Sequence, residues 1–299
     1  MNPAEAATPP KPPGEGENPM DDLKATRRDF AALSMAAGLG AAGAAAATEP
    51  RAVIESDVTI QTPDGSADAA LFHPPSGRWP GVVIFADALG LRPAFRDMGR
   101  RLASEGYAVL VPNPFYRTRK APVITGPFDF AKPEDRAKLA ELRAPLTPEA
   151  VARDGKTWVA YLDANAHVNK RAKIGVQGYC MGGAMTMITA AAAPDRVGAG
   201  ASFHGGGLVT DKPESPHLLV SKMKAAYLVL IADNDDQREP GAKTTLREAF
   251  DAANRSAKIE VYKGAQHGWC VKDGRVYDAA AAEKAWAELL SLYARSLRA

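Results

Sequence analysis

The segment Gly178-Tyr179-Cys180-Met181-Gly182-Gly183 constrains this chain more than any other feature. A short β-prone run, Lys173 to Gln177, leads into it, and an Ala- and Met-rich run from Ala184 to Ala193 follows. Strand, glycine-rich turn and helix in that order describe a nucleophile elbow, where a sharp turn lifts one side chain above the end of a sheet. Gly178 and Gly182 stand two positions either side of the lifted residue, where a Cβ would crowd so tight a turn. The lifted residue is a cysteine. Its thiol sits at the positive end of the following helix, which lowers the energy of the thiolate. A purely structural cysteine would not require strand, glycines and helix to fall in this sequence.

An elbow needs a sheet, and the rest of the chain supplies one. Val53 to Gln61 and Ala67 to His73 bracket the turn Thr62-Pro63-Asp64-Gly65 as a hairpin-like pair. Val82 to Ala86 is apolar throughout, as expected of a strand covered on both faces. Phe95, Met98 and Leu102 then recur at helical spacing, and Tyr107 to Val111 reads as a strand stopped by Pro112. Residues 112–147 carry six prolines and no sustained period, so they are expected to form an irregular excursion over the mouth of the site. Thr147-Pro148-Glu149 starts a helix well, with a hydroxyl cap, a proline in the first turn and an acid near the positive end. Val151, Trp158, Val159 and Leu162 form its buried stripe. Val197 to Phe203, Ala225 to Ala232 and Lys258 to Tyr262 are further strands, and Trp286, Leu289, Leu290 and Tyr293 mark a closing amphipathic helix. Repeated βα units predict an α/β fold: a mostly parallel sheet with helices on both faces, in a single domain over 48–299.

Composition narrows the function classes. The chain has 299 residues with a net charge of only +2, so there is no electrostatic case for nucleic acid. The two cysteines, Cys180 and Cys270, are too few for a disulfide scaffold and lack metal-ligand spacing; no metal or organic cofactor is expected. A Cys180–Cys270 bridge would switch off a thiol nucleophile. Residues 1–47 stand apart. Residues 1–19 are rich in Pro, Gly and Glu and read as a disordered leader. Thr26-Arg27-Arg28-Asp29-Phe30, followed by an Ala/Gly-rich run ending in Ala45-Ala46-Ala47, resembles a twin-arginine export signal. It implies export machinery as a partner and a periplasmic or secreted protein. A monomer is favoured.

In this topology chemistry gathers at the carboxyl ends of the strands. Cys180 follows one such end, the run Asp233-Asn234-Asp235-Asp236 follows another, and His267 follows the last strand in Gly264-Ala265-Gln266-His267-Gly268-Trp269. Nucleophile, acid, histidine is the chain order of α/β-hydrolases. His267 would take the thiol proton or hold it in an ion pair, and later return a proton to the leaving group. Asp235 would orient the other ring nitrogen, with Asp236 as its close competitor. The oxyanion would be held by the backbone N–H of Met181 and a second N–H in the loop after Val82 to Ala86, at Ala88.

These residues resemble the dienelactone hydrolases, also called carboxymethylenebutenolidases. The likeness rests on the cysteine elbow 178–183, on Ala86-Asp87-Ala88-Leu89-Gly90, on Leu102-Ala103-Ser104-Glu105-Gly106-Tyr107 running into Val111-Pro112-Asn113, and on Ala265-Gln266-His267-Gly268. It covers roughly residues 53–295. The resemblance implies a thiol-dependent cleavage of a small lactone or ester through a thioester acyl-enzyme. It also implies that Asp87, where familiar members carry a glutamate, helps to deprotonate the thiol. Arg136 matches one of the arginines that hold the substrate carboxylate; the second, expected four residues after the histidine, is Val271, and the serine directly after the histidine is Gly268. Those departures put dienelactone itself in question as the substrate. Arg117 and His204 are further candidates for the site, His204 more for local structure than for catalysis. The rivals are a broad carboxylesterase and a catalytically idle hydrolase fold that binds a ligand.

Overall fold

The computed structural model describes residues 51–297. The expected leader and export signal in 1–47 lie outside those residues. The described part opens with two long strands, β1 (Ile54–Thr62) and β2 (Gly65–His73), paired antiparallel about the tight turn at residues 62–65. It then alternates: β3 (Gly81–Phe85), α1 (Pro93–Ser104), β4 (Ala108–Pro112), α2 (Pro133–Arg143), α3 (Pro148–Ala164), β5 (Ile174–Tyr179), α4 (Met181–Ala192) and β6 (Val197–Phe203). A 3-10 helix (Pro216–Lys222) precedes β7 (Ala226–Ala232), α5 (Asp233–Arg238), α6 (Ala242–Ala252), β8 (Ala257–Tyr262) and α7 (Ala279–Ser296).

Among the described residues, all eight strands form one sheet in the order β1-β2-β4-β3-β5-β6-β7-β8. β1, β2 and β4 meet antiparallel, and every other neighbouring pair is parallel. This is the mostly parallel α/β-hydrolase architecture that the sequence predicts. Strand period two explains why the middle strands are apolar without interruption. In β3, Val83 and Phe85 join a core with Trp158 and Leu162 of α3 and Met185 and Ile188 of α4. Val82 and Ile84 point the other way, into a core with Phe95 and Leu102 of α1 and Trp286 and Leu289 of α7. Each face of the sheet is therefore sealed by helices.

One element differs from the sequence expectation. The segment 112–147 is not irregular throughout, because α2 runs from Pro133 to Arg143. Only Asp135, Leu139 and Leu142 of it are buried, too narrow a stripe to show as a helical period among six prolines. The acidic run after β7 forms the short helix α5. The parallel strands end on one edge of the sheet, and that edge carries Asp87, Cys180, His204, the α5 acids and His267 in the segments that follow β3, β5, β6, β7 and β8.

Candidate active site

Cys180 joins β5 directly to α4 with φ 55° and ψ −118°. A non-glycine residue there is strained by about 1–3 kcal/mol, and the surroundings must over-determine it. They do. The Cys180 N–H is shared between the Phe203 carbonyl and His204 Nδ1, both at 3.1 Å. Its carbonyl accepts from the N–H groups of Gly183 at 3.1 Å and Gly206 at 3.2 Å. The flanking glycines are obligatory on geometric grounds: a Cβ at Gly178 would lie 2.0 Å from the Gly182 oxygen, and one at Gly182 would lie 2.4 Å from the Phe85 oxygen.

His267 shares a cleft with Cys180 and is held at two points. Its own N–H donates to Asn234 Oδ1 at 2.9 Å, and its ring Nδ1 meets Asp235 Oδ2 at 2.6 Å. Its ring lines the same cleft as Cys180, whose charge and hydrogen-bonding capacity act on it. Burial works against a charged ring, but hydrogen bonds and charge from Asp235 and Cys180 outweigh it and raise the His267 pKa to about 10. The neighbouring acids have other partners. Asp236 binds Lys243 Nζ at 2.6 Å, and Asp233 binds Lys263 Nζ at 3.0 Å and accepts the Gly264 N–H at 3.2 Å. Of the four polar residues after β7, Asp235 alone meets the ring of His267, and Asn234 fixes its backbone.

His204 is fully buried at the end of β6 with φ 41°. Burial, reinforced by the nearby His267 charge, pushes its pKa well below the usual histidine range, so the ring is neutral. Because Nδ1 accepts the Cys180 N–H, the proton resides on Nε2. The ring packs edge-on against His267 and Trp269, with centroids 5.0 and 5.1 Å away. It buttresses the elbow and the histidine loop together.

With this geometry in view, the comparison with known proteins is direct. The family model for the dienelactone hydrolase family matches residues 67–297. The chain belongs to the dienelactone hydrolase family. A protein assigned as a carboxymethylenebutenolidase in Salmonella typhi is 28% identical over 259 residues, covering 79% of this chain and 90% of that protein. Among solved structures, one assigned as a dienelactone hydrolase from Klebsiella pneumoniae superposes with a TM-score of 0.72 at 24% identity, covering 82% of this chain and all of the other. A dienelactone hydrolase-like promiscuous phosphotriesterase from metagenomic libraries superposes with a TM-score of 0.66 at 20% identity, covering 83% and 100%. These two share the fold.

Two clefts meet at Cys180 in this dienelactone hydrolase-family chain. The larger, about 850 Å³, runs between α4, α2 and the start of α3 and includes Ala88, Met181 and Arg136. The smaller, about 430 Å³, contains Asp87, Arg92, His204 and His267 and shares Ala88, Phe130 and Cys180 with the first. Ala88 is thus common to both clefts. Met181 is the first residue of α4, so its N–H has no acceptor within the helix. Arg136 lies on the exposed side of α2, its Nη1 donating to the Phe130 and Ala131 carbonyls at 3.0 and 2.7 Å.

Two expectations change. Arg117 lines neither cleft: it is 11% exposed and held by Asp64 and Asp154 at 2.6 and 2.7 Å, so it is a scaffold residue and not a substrate contact. Asp87 is in the smaller cleft, but its oxygens are taken by Arg92, at 2.6 and 2.9 Å, and by the Leu89 N–H at 2.9 Å. Arg92 also binds Asp273 at 2.7 Å. Sequence reasoning missed Arg92, which showed only as the residue before the helix-starting Pro93; nothing local tells that its guanidinium turns back to Asp87. Cys180 and Cys270 are both free thiols. Cys270 is buried, and that burial raises its pKa well above the usual thiol range. Among the described residues no group of three or more His, Cys, Asp or Glu side chains is placed to hold a metal ion.

Proposed function

We propose that this chain is a thiol-dependent hydrolase of small lactones or esters that works through a Cys180–His267–Asp235 triad. The observation that carries the reading is the Asp235–His267 hydrogen bond in the cleft that also holds a cysteine strained at the top of the elbow. Asp235 and Cys180, which raise the His267 pKa to about 10, favour this ring as the group that takes the thiol proton, so that the sulfur attacks as a thiolate. The thiolate attacks the ester carbonyl. A C–S bond forms, and the carbonyl electron pair moves to an oxyanion held by the N–H groups of Met181 and Ala88. As that pair returns, the C–O bond breaks and the leaving oxygen takes the proton from His267. Water then attacks the thioester, giving its proton to His267; the acid departs and the thiol is regenerated. Asp235 fixes the ring orientation and stabilises the imidazolium through both half-reactions.

Asp87 acts at one remove in this scheme. Paired with Arg92, it sets the field around the thiolate and does not itself take the thiol proton. Arg136 serves as a cation at the rim of the larger cleft for an anionic substrate group. Arg27-Arg28 and the Ala/Gly-rich run behind them direct export in the folded state; a fusion of residues 1–47 to a reporter, exported only in hosts with an intact twin-arginine route, checks that step.

The deciding experiment is hydrolysis of p-nitrophenyl acetate and of a dienelactone, with intact-mass analysis of the protein. Turnover with an acyl adduct on Cys180, and its loss in a folded Cys180→Ala variant, is the expected result. Normal ester hydrolysis by Cys180→Ala would sink the mechanism.

A further inference from the structure

The clefts on either side of Cys180 are unequal in size and in chemistry, and the hydrolase reading above makes that inequality informative. Only the smaller cleft contains His267. The group that receives a proton from His267 is the leaving oxygen, so the alcohol half of an ester must lie on that side. The acyl half is left with the other side, the 850 Å³ cleft.

The wall of that cleft suits a chain. Met181, Ala184, Met185 and Ile188 recur at three- and four-residue spacing along α4, so they form one stripe facing the cleft. Leu139 of α2, Leu146 in the link between α2 and α3, and Val151 of α3 form the opposite wall. Met181, Met185 and Ile188 are 9, 6 and 8% exposed, buried but not sealed, as expected of side chains that floor a trough. From Cys180 to Ile188 the helix rises about 12 Å, which an extended chain of about eight to ten carbons would span. The surroundings continue this chemistry. Phe130, shared by both clefts, is 55% exposed, and Leu218, in the 3-10 helix whose Pro216 lines the trough, is 52% exposed.

We propose that the larger cleft is an acyl-chain trough and that the substrates of this enzyme are esters of medium-chain acids with a compact alcohol half in the smaller cleft. A small lactone fills only the junction. The proposal rests on Cys180 and His267 acting as described above.

The test is kcat/KM for p-nitrophenyl acetate, butyrate, octanoate and decanoate, each kept below its micellar concentration. Full burial gives about fourfold per methylene, so a half-open trough is expected to raise kcat/KM at least about tenfold from acetate to octanoate. Ile188→Trp and, independently, Leu146→Trp place bulk in the trough from opposite walls; each is expected to lower the octanoate-to-acetate ratio about tenfold. Of two isomers with alkyl leaving groups, ethyl octanoate is expected to exceed octyl acetate by about tenfold; equality or reversal overturns the assignment of sides. Acetate turnover with no rise along the series, or a ratio unmoved in both tryptophan variants, overturns the trough and leaves the hydrolase standing. Absence of turnover and of a Cys180 adduct with every ester overturns both.

Discussion

Arg117 and Arg92 are both arginines clamped between two carboxylates, yet one belongs to the scaffold and the other to the site. Arg117 ties Asp64, in the turn between β1 and β2, to Asp154 on α3, and Tyr116 adds a hydrogen bond to Asp154 at 2.8 Å. The charges of Arg117 and Asp154 are almost entirely out of solvent, at 11 and 7% exposure. Arg92 ties Asp87 to Asp273, but here the outer acid is 46% exposed and the inner one faces the cleft that holds Cys180 and His267. The difference lies in what surrounds the clamp. A closed clamp positions elements of the fold; one that opens onto a cleft sets the charge at which chemistry occurs.

Breaking the closed clamp is expected to have the larger effect on stability. Arg117→Met strands the Asp154 carboxylate in the interior and should cost about 3 kcal/mol in unfolding free energy, measured by urea titration, while kcat/KM of the folded fraction stays within about twofold. A large loss of kcat/KM in a fully folded variant would return Arg117 to the site. Arg92→Met should act in the opposite sense. It leaves Asp87 unneutralised in the cleft that also holds Cys180, and a negative charge there opposes ionisation of a thiol, so iodoacetamide alkylation of Cys180 at pH 7 should slow several-fold. Adding Asp87→Asn should restore the rate. If alkylation is unchanged in Arg92→Met, the field of this clamp does not reach the nucleophile.

The third prediction uses pH. A histidine whose folded pKa lies above its unfolded value stabilises the fold fully below the unfolded value and loses that contribution as pH rises through the folded one. For His267 the window runs from about 6.5 to about 10. The stability advantage of the wild type over His267→Gln should therefore shrink steadily from pH 6 to pH 10 in urea titrations; parallel curves would show that the ring is not held protonated. The smallest effect is expected of Asp273→Asn at the exposed end of the Arg92 clamp. It should change stability by no more than about 0.5 kcal/mol, and kcat/KM for neutral esters should hardly move.

Much of the fold was legible because its signals are local. β3 is apolar throughout since both faces are covered, and the hairpin announces itself in Thr62-Pro63-Asp64-Gly65. α2 was not legible. Three buried positions among six prolines leave no period to read, and its place is decided by packing over the larger cleft. At the site, Cys180 and His267 could be found from their turns alone. The choice of Asp235 over Asp236 could not, since the two are adjacent and chemically identical; only the orientation of α5 sends one to His267 and the other to Lys243.

By itself, the sequence determined the alternation of strands and helices, the elbow with its two indispensable glycines, and the chain order of Cys180, the acidic run and His267. Those are consequences of side-chain periodicity and backbone sterics, which act over a few residues. Only the tertiary structure decided which arginine meets which carboxylate, which aspartate serves His267, and how the space around Cys180 divides into two unequal clefts. Those depend on elements far apart in the chain meeting at one edge of the sheet, where burial and charge are set by neighbours the local sequence does not name.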